Sequence, residues 1–486
     1  MPKISVIIPT YMGSKMLGNA IQSVLEQTYS NFELIIVNDA SPDNTVSIVD
    51  RFQDSRIKYI VHEKNRGVDR SRCTGISASV GEIIVFLDQD DFFHPEKLES
   101  HIEFLEKHPK VGFSYNARFE LDYSTKTIRD IWRPSQNITL SDLVLWFPIA
   151  PSDWVLRRKW ALELLDIMSS SDRWTGGEIV YLGDLFMKGC GFGLVNRALN
   201  YRWHHSGRVF RDLKSGCNFE IAAQQEVFND PRFPSGLLGL KSKAHANIYT
   251  FWAFRAFVQG ETELGQEYIK EAIRLRPSLL DGKPCELLNT FLINCCDDKN
   301  VDHSTLLKKI FSQLPPETSI LIPQYEWTVA RGYLIKGIRA IVWGRFGEAR
   351  EYLHDAKKME AEIDMSFLSH LTQKVLDHKI EFGDVVSREL FEKLLYVWND
   401  FGDSRNLRQF KGMFAMNSAF QSFDNRDFGR VPVQIFLAVI VNPKLISNRG
   451  LISLLFRSIF NILAKKNSDG WLKGRSEIRV DSANAQ

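Results

Sequence analysis

Four short apolar runs, each followed by a stretch with helical spacing, constrain this chain more than any other feature of it. The runs are ISVII at 4–8, FELIIV at 32–37, IKYIV at 57–61 and IIVFL at 83–87. Runs of this length, rich in β-branched side chains, suit strands buried on both faces. Between and after them, apolar residues recur at helical spacing. Met16, Leu17, Ala20, Ile21, Val24 and Leu25 mark a helix over about 15–27, and 68–79 and 95–107 read the same way. Ser41 before Pro42 reads as a further helix N-terminus. Strand and helix in alternation predict an α/β domain with a parallel sheet and right-handed crossovers.

The strand ends carry the chemistry. The fourth run lies in GEIIVFLDQDD at 81–91 and drives into Asp88, Asp90 and Asp91. Two residues apart in extended backbone, Asp88 and Asp90 point the same way and repel. A hard divalent cation relieves that repulsion, taking oxygens from carboxylates and substrate phosphates together. The plainer reading is a solvated turn, where Asp is common. The first strand ends in Pro9-Thr10-Tyr11 and the second in Asn38-Asp39. Open α/β sheets hold their ligands at such carboxyl ends. A dinucleotide would want G-x-G-x-x-G after the first strand, but PTYMGSK stands there, and no G-x-x-x-x-G-K-[ST] occurs. What remains is a nucleotide held by strand-end carboxylates and a metal.

Composition narrows the setting. The length of 486 residues exceeds one ordinary domain, and a net charge of +2 makes no broad case for nucleic acid. Six cysteines without a C-x-x-C pair argue for buried thiols of a reducing compartment, not for zinc or disulfides. The opening MPKISVIIPTY is too short in apolar residues for a signal peptide, and no run nears the 18 needed to span a bilayer. The expected location is cytoplasmic, with at most attachment to the inner face of the plasma membrane.

SVIIPTY, then QSVLEQTYSNFELIIVNDASPDNT, then NRGVDRSRCTGISASVGEIIVFLDQDD resemble, in that order, the family-2 glycosyltransferases, which have the GT-A fold. The resemblance covers roughly the first 210 residues. It implies transfer of a sugar from a nucleotide diphosphate sugar to a glycan or lipid-linked acceptor, usually with inversion and with Mg2+ or Mn2+. The implied setting is synthesis of cell-surface polysaccharide, capsule or cell wall. Carried over by position, Pro9, Thr10 and Tyr11 lie against the nucleotide base and Asp39 accepts a hydrogen bond from it. Arg72 lies near the ribose or diphosphate, Asp88 on the ribose side, and Asp90 on the metal. Asn38 stands where many members have another acid. In L-N-Y-R-W-H at 199–204, His204 matches a histidine that approaches the metal or diphosphate. Arg208 in the loop that follows is a further candidate for the donor phosphates.

The family's general base is the second acid of a G-E-D motif. Here Gly177-Glu178-Ile179 puts isoleucine at that place. Glu178 and Asp184 are the two acids available for the role, and the missing acid also admits a non-catalytic protein that binds a nucleotide sugar and works through its helical half. Trp132, Trp146 and Trp154 are either sugar-stacking platforms or core anchors.

Beyond about residue 235 the pattern turns helical. The expected division is a GT-A domain at 1–235, an α-helical region at 236–425 with tetratricopeptide-like hairpins about Gly260 and Gly344, and a helical tail at 426–486. In GLISLLFRSIFNILAKK at 450–466, Leu451, Ile452, Leu455, Ile459, Ile462 and Leu463 share one face, and Ser453, Arg457, Asn461 and Lys465 another. Such a helix either closes its own core or contacts a membrane surface or a protein partner.

Overall fold

The computed structural model describes residues 3–122, 126–146, 149–170, 177–204, 212–297, 301–398, 402–424 and 426–462. Compactness divides the chain into two units, Met1–Ile335 and Lys336–Gln486.

The first unit is built on one nine-stranded sheet. Its strands are β1 (Ile4–Thr10), β2 (Phe32–Asn38), β3 (Ile57–Val61), β4 (Ile83–Phe86), β5 (Asp91–Phe93), β6 (Val111–Asp122), β7 (Thr127–Trp132), β8 (Val155–Arg157) and β9 (Gly191–His204). They run in the order β3-β2-β1-β4-β8-β6-β9-β5, with β7 paired to β6. β1 to β4 are parallel, as the alternation predicted. Beyond them β8 runs antiparallel to both β4 and β6, and β5 antiparallel to β9. The architecture is therefore a mostly parallel, Rossmann-like α/β domain whose second half is mixed. β5 and β8 have three residues each, too few to show a period in sequence.

Alternate residues of the central strands feed two cores. Ile4, Val6, Ile8, Leu34, Ile36, Val85 and Leu87 pack on one face with Leu17, Ile21, Val24, Leu98 and Ile102. Ile7, Ile35, Val37, Ile84 and Phe86 pack on the other with Ile76, Leu156, Leu164, Ile179 and Leu185. A strand clothed by apolar groups on both sides has no polar face to expose, which is why its sequence is a continuous apolar run. Trp154 is fully buried in the second core against Phe86 and Phe113, so it is a core anchor and not a sugar platform. Trp132 is exposed on β7, with the Arg118 guanidinium over its ring. The Trp146 side chain lies outside the described residues.

One local expectation is corrected. The helix after β2 is Thr45–Val49, and neither Ser41 nor Pro42 starts it. Ser41 Oγ instead accepts from the Met12 N–H at 3.1 Å, and Asp43 Oδ2 from the Ser14 N–H at 3.1 Å. These side chains pin the loop that leaves β1, and Asp43 Oδ1 also accepts the Thr45 N–H at 3.2 Å at the start of the helix.

All six cysteines are buried thiols. Helices Lys241–Gln259 and Thr262–Leu275 flank Gly260, which has a left-handed φ of 89°. Tyr325–Val342 and Phe346–Lys358 flank Gly344 in the same conformation at 73°. Both turns thus use the residue that reaches αL without a Cβ clash. In the second unit, the helix Val431–Val441 and a helix over 449–462 share a small core of Ala419, Val431, Ile435, Leu451 and Leu454. The tail residues divide differently from the faces read in sequence: Leu451 is buried, whereas Ile452 and Ile459 are exposed. Leu463 and Lys465 lie outside the described residues. No helix among the described residues is long and apolar enough to cross a membrane.

Candidate functional site

The strand order sets the location. From β1 the chain moves outward through β2 to β3, then returns to place β4 on β1's other side. Neighbouring strands whose connections leave in opposite directions open a crevice at their carboxyl ends. At that crevice stand Thr10 and Tyr11 from β1 and Asp88 to Asp91 beyond β4.

Gln89 closes the gap between the two strand ends. Its Oε1 accepts from Thr10 Oγ1 at 2.5 Å and from the Tyr11 N–H at 3.0 Å, and its Nε2 donates to the Tyr11 carbonyl at 3.0 Å. The residue between the acids thus holds the β1 loop, leaving the acids to face elsewhere. Tyr11 is exposed and Thr10 buried. Pro9 lies within β1, opposite Val37 of β2.

Asp39 is buried and heavily engaged. Oδ1 meets His62 Nδ1 at 2.7 Å and accepts the Arg66 N–H at 2.9 Å, while Oδ2 accepts the Gly67 N–H at 2.7 Å. His62 Nε2 is in turn 2.9 Å from Thr74 Oγ1. Asp39 thereby fixes the Arg66-Gly67 turn that launches the helix Val68–Ala78. Gly67 has φ of 87°, which suits glycine. Asn38 donates through Nδ2 to the Tyr59 hydroxyl at 2.7 Å.

That helix delivers Arg72, the hub of the site. Nη2 donates to Asp88 Oδ1 at 2.9 Å and Nη1 to Asp69 Oδ1 at 3.1 Å. Nη1 also lies 3.7 Å from Glu178 Oε1. Asp69 is locked from its other side by the Tyr181 hydroxyl at 2.6 Å. Arg72 is only 3% exposed, and its Nε–H is buried with no hydrogen-bond partner among the described residues. Burial opposes its charge, but Asp88, Asp69 and Glu178 outweigh it and raise its pKa. The guanidinium is therefore a fixed cation.

Glu178 is the first residue of the helix Glu178–Met187. Burial raises its pKa; the Arg72 charge pulls the other way, and Asp69 and Asp88 add to the rise. A second acid, Glu220 on the helix Leu213–Asn229, is pushed up to about 7 by burial, against the opposing hydrogen bond from Trp252 Nε1–H at 3.0 Å. The Glu178 charge adds to that rise. Asp184 is elsewhere engaged: it pairs with Arg232 at 2.8 Å and with Lys188 at 3.0 Å. The fold thus brings Asp88, Arg72 and Glu178 together, while Asp184 joins a different charge cluster.

The acids after β4 have distinct surroundings. The Asp91 N–H donates to the Asp88 carbonyl at 3.1 Å, closing a tight turn. Ser152 Oγ accepts the Asp88 N–H at 3.1 Å and donates to Asp91 Oδ2 at 2.7 Å. Lys97, fully buried, donates to the Ser152 carbonyl at 2.8 Å and to Asn116 Oδ1 at 2.7 Å. Asp90 is half-exposed at the same turn. Among the described residues no three His, Cys, Asp or Glu side chains converge to hold a metal by themselves. One or two carboxylates at a turn still suit Mg2+ or Mn2+, which draws its remaining oxygens from phosphate and water. The His204 side chain and Arg208 lie outside the described residues.

Sequence reasoning missed Gln89, Ser152, Lys97, His62 and Glu220. Asp69 had a readable signal, lying three residues before Arg72 on one helix face. The others act through contacts distant in sequence and left none.

Residues 5–165 match the sequence model of glycosyl transferase family 2. The UDP-Glc:alpha-D-GlcNAc-diphosphoundecaprenol beta-1,3-glucosyltransferase WfgD of Escherichia coli is 36% identical over 141 residues, which cover 29% of this chain and 54% of WfgD. An uncharacterized glycosyltransferase of Rickettsia conorii is 38% identical over 130 residues, 26% of this chain and 21% of the relative. The chain thus spans less than two thirds of either relative's length. Among solved structures, Staphylococcus aureus TarS 1–349 is similar at a TM-score of 0.40 and 15% identity, over 74% of this chain and 91% of TarS 1–349.

Proposed function

The chain carries a family 2 glycosyl transferase domain at its N-terminus, and from that premise we propose that it moves a sugar from a nucleotide diphosphate sugar to a glycan or lipid-linked acceptor, with inversion, in cell-surface polysaccharide synthesis. The reading of the acceptor is supported by the acceptor named for WfgD, a diphosphoundecaprenol-linked sugar. The observation that carries the proposal is the convergence of Arg72 on Asp88 and Glu178 at the switch point of the sheet.

In this reading the base lies against Pro9, Thr10, Tyr11 and Asp39, and the ribose against Asp88. Arg72 sets its fixed positive charge beside the diphosphate. Asp90 and His204 would hold Mg2+ or Mn2+, which would supply charge neutralisation for the leaving diphosphate. Glu178 is the base, because its raised pKa favours accepting a proton. Its carboxylate takes the acceptor hydroxyl's proton as the oxygen bonds to the anomeric carbon. The bond from that carbon to the diphosphate oxygen breaks, and the nucleoside diphosphate leaves with the electron pair. Asp184 is left to its ion pairs. The helical hairpins serve as tetratricopeptide-like contact elements.

The test measures nucleoside diphosphate release with a panel of nucleotide sugars, Mn2+ and a membrane extract as acceptor. Glu178→Gln is expected to lower turnover by about 10²- to 10⁴-fold while still binding donor. Asp184→Asn is expected to retain turnover. Wild-type rates in Glu178→Gln would overturn the assignment of the base.

A further inference from the structure

The helical pair at the end of the described chain exposes far more apolar surface than its own core consumes. On Val431–Val441 the inward positions are Val431, Ile435 and Ala438. The outward ones are Val433, Phe436, Leu437 and Ile440, with Phe436 64% exposed. Their spacing of three, one and three makes a continuous stripe on one helix face. The helix over 449–462 repeats the design, burying Leu451 and Leu454 and presenting Ile452, Phe456, Ile459 and Phe460. Phe456 and Phe460 are 68% and 71% exposed. Ile446, between the two helices, is 68% exposed as well. Single exposed apolar residues are ordinary, but eight on two adjoining helices with a ninth on the segment between them mark an interaction surface.

The charges beside it say what kind. Residues 431–462 contain no Asp or Glu, and their three ionised side chains, Lys444, Arg449 and Arg457, are all cations and all exposed. Within 431–462, bulky apolar groups accompanied only by cations match the acyl layer and phosphate headgroups of an anionic bilayer, while the nearby Asp427 is paired with Arg430. We propose that the 431–462 helical pair is a membrane-docking surface that lies in the interfacial layer of an anionic lipid bilayer. The surface deepens the transferase reading by bringing the enzyme to a polyprenol-linked acceptor, although the binding itself does not depend on transfer.

The experiment uses the full chain and vesicle co-sedimentation without any sugar donor, so its result stands apart from that of the transfer assay. Wild type is expected to sediment with vesicles of phosphatidylglycerol and phosphatidylethanolamine, and far less with phosphatidylcholine alone. Phe436→Glu with Phe460→Glu is expected to reduce the partition coefficient by about tenfold or more. Arg449→Gln with Arg457→Gln, which leaves the apolar stripe intact, is expected to reduce it severalfold and to weaken its dependence on salt. If the Glu pair fails to fold by circular dichroism, Val433→Ser with Phe456→Ser takes its place. Partitioning unchanged by these variants overturns the proposal, as does a wild type that ignores anionic vesicles. Light scattering that shows self-association, abolished by the same substitutions and without vesicle binding, also overturns it and assigns the surface to a second copy.

Discussion

Arg72 illustrates how one side chain organises a site. A buried guanidinium held by three carboxylates is fixed in place, because moving it gives up its hydrogen bonds to Asp69 and Asp88 and leaves a buried cation without its partners. It also sets the basicity of Glu178. Burial holds that carboxyl above its ordinary value and Arg72 restrains the rise. A base must be deprotonated to act, so activity falls as pH drops through its pKa. Removing the cation in Arg72→Met raises the pKa further, and the acid limb of the kcat/KM profile is expected to move to higher pH. Lys97 offers a second residue-scale test. Burial lowers its pKa from 10.5 to about 7, despite the nearby charges of Asp153 and Asp91. Between those values the unfolded chain binds a proton that the folded chain does not, so folding becomes more favourable as pH rises through that window. Lys97→Met lacks this term. The melting temperature of wild type relative to the variant is expected to climb from neutral to alkaline pH, as read by circular dichroism. A constant difference would refute the buried, deprotonated lysine.

Among elements, β4 matters most, since it carries the acids to the crevice. Its approach to β1 begins at Gly81, where a Cβ would lie 2.6 Å from the Ser5 backbone nitrogen and 2.7 Å from the Ile4 carbonyl carbon. The Gly81 N–H also donates to Ser5 Oγ at 2.9 Å. Backbone cannot yield as a flexible side chain does, so Gly81→Ala forces the start of β4 away from β1. The expected cost is about 1–3 kcal/mol of stability by urea unfolding. Donor affinity should fall with it, because displacement of β4 shifts Asp88 against Arg72. Wild-type affinity with lowered stability would show that the strand end is held independently, through Gln89 and Ser152.

For the molecule as a whole, each of the two compact units has apolar packing of its own. Calorimetry is expected to resolve two unfolding transitions. Only the transition of the first unit should rise when a bound nucleotide sugar and Mn2+ are added, since a ligand stabilises only the state that binds it. At a hundredfold excess over Kd the gain is about 2.7 kcal/mol. One transition would refute the independent unfolding of the two units, and an equal rise in two would refute this assignment of the donor site.

The order of amino acids alone determined that β1 to β4 form a parallel sheet and that acids gather at its carboxyl edge. Both follow from local periodicity and from spacing of a few residues, which survive in any tertiary setting. The same holds for the helical turns at Gly260 and Gly344, where a left-handed residue is needed. Tertiary structure alone decided that Arg72 joins Asp88 to Glu178, that Asp184 turns to Arg232, and that Ser152 and Lys97 support the acidic turn. It also decided which face of the last helices meets their own core and which stays exposed. Those outcomes depend on how the sheet's strand order and the helix packing bring distant segments together, and neither is encoded in any local pattern.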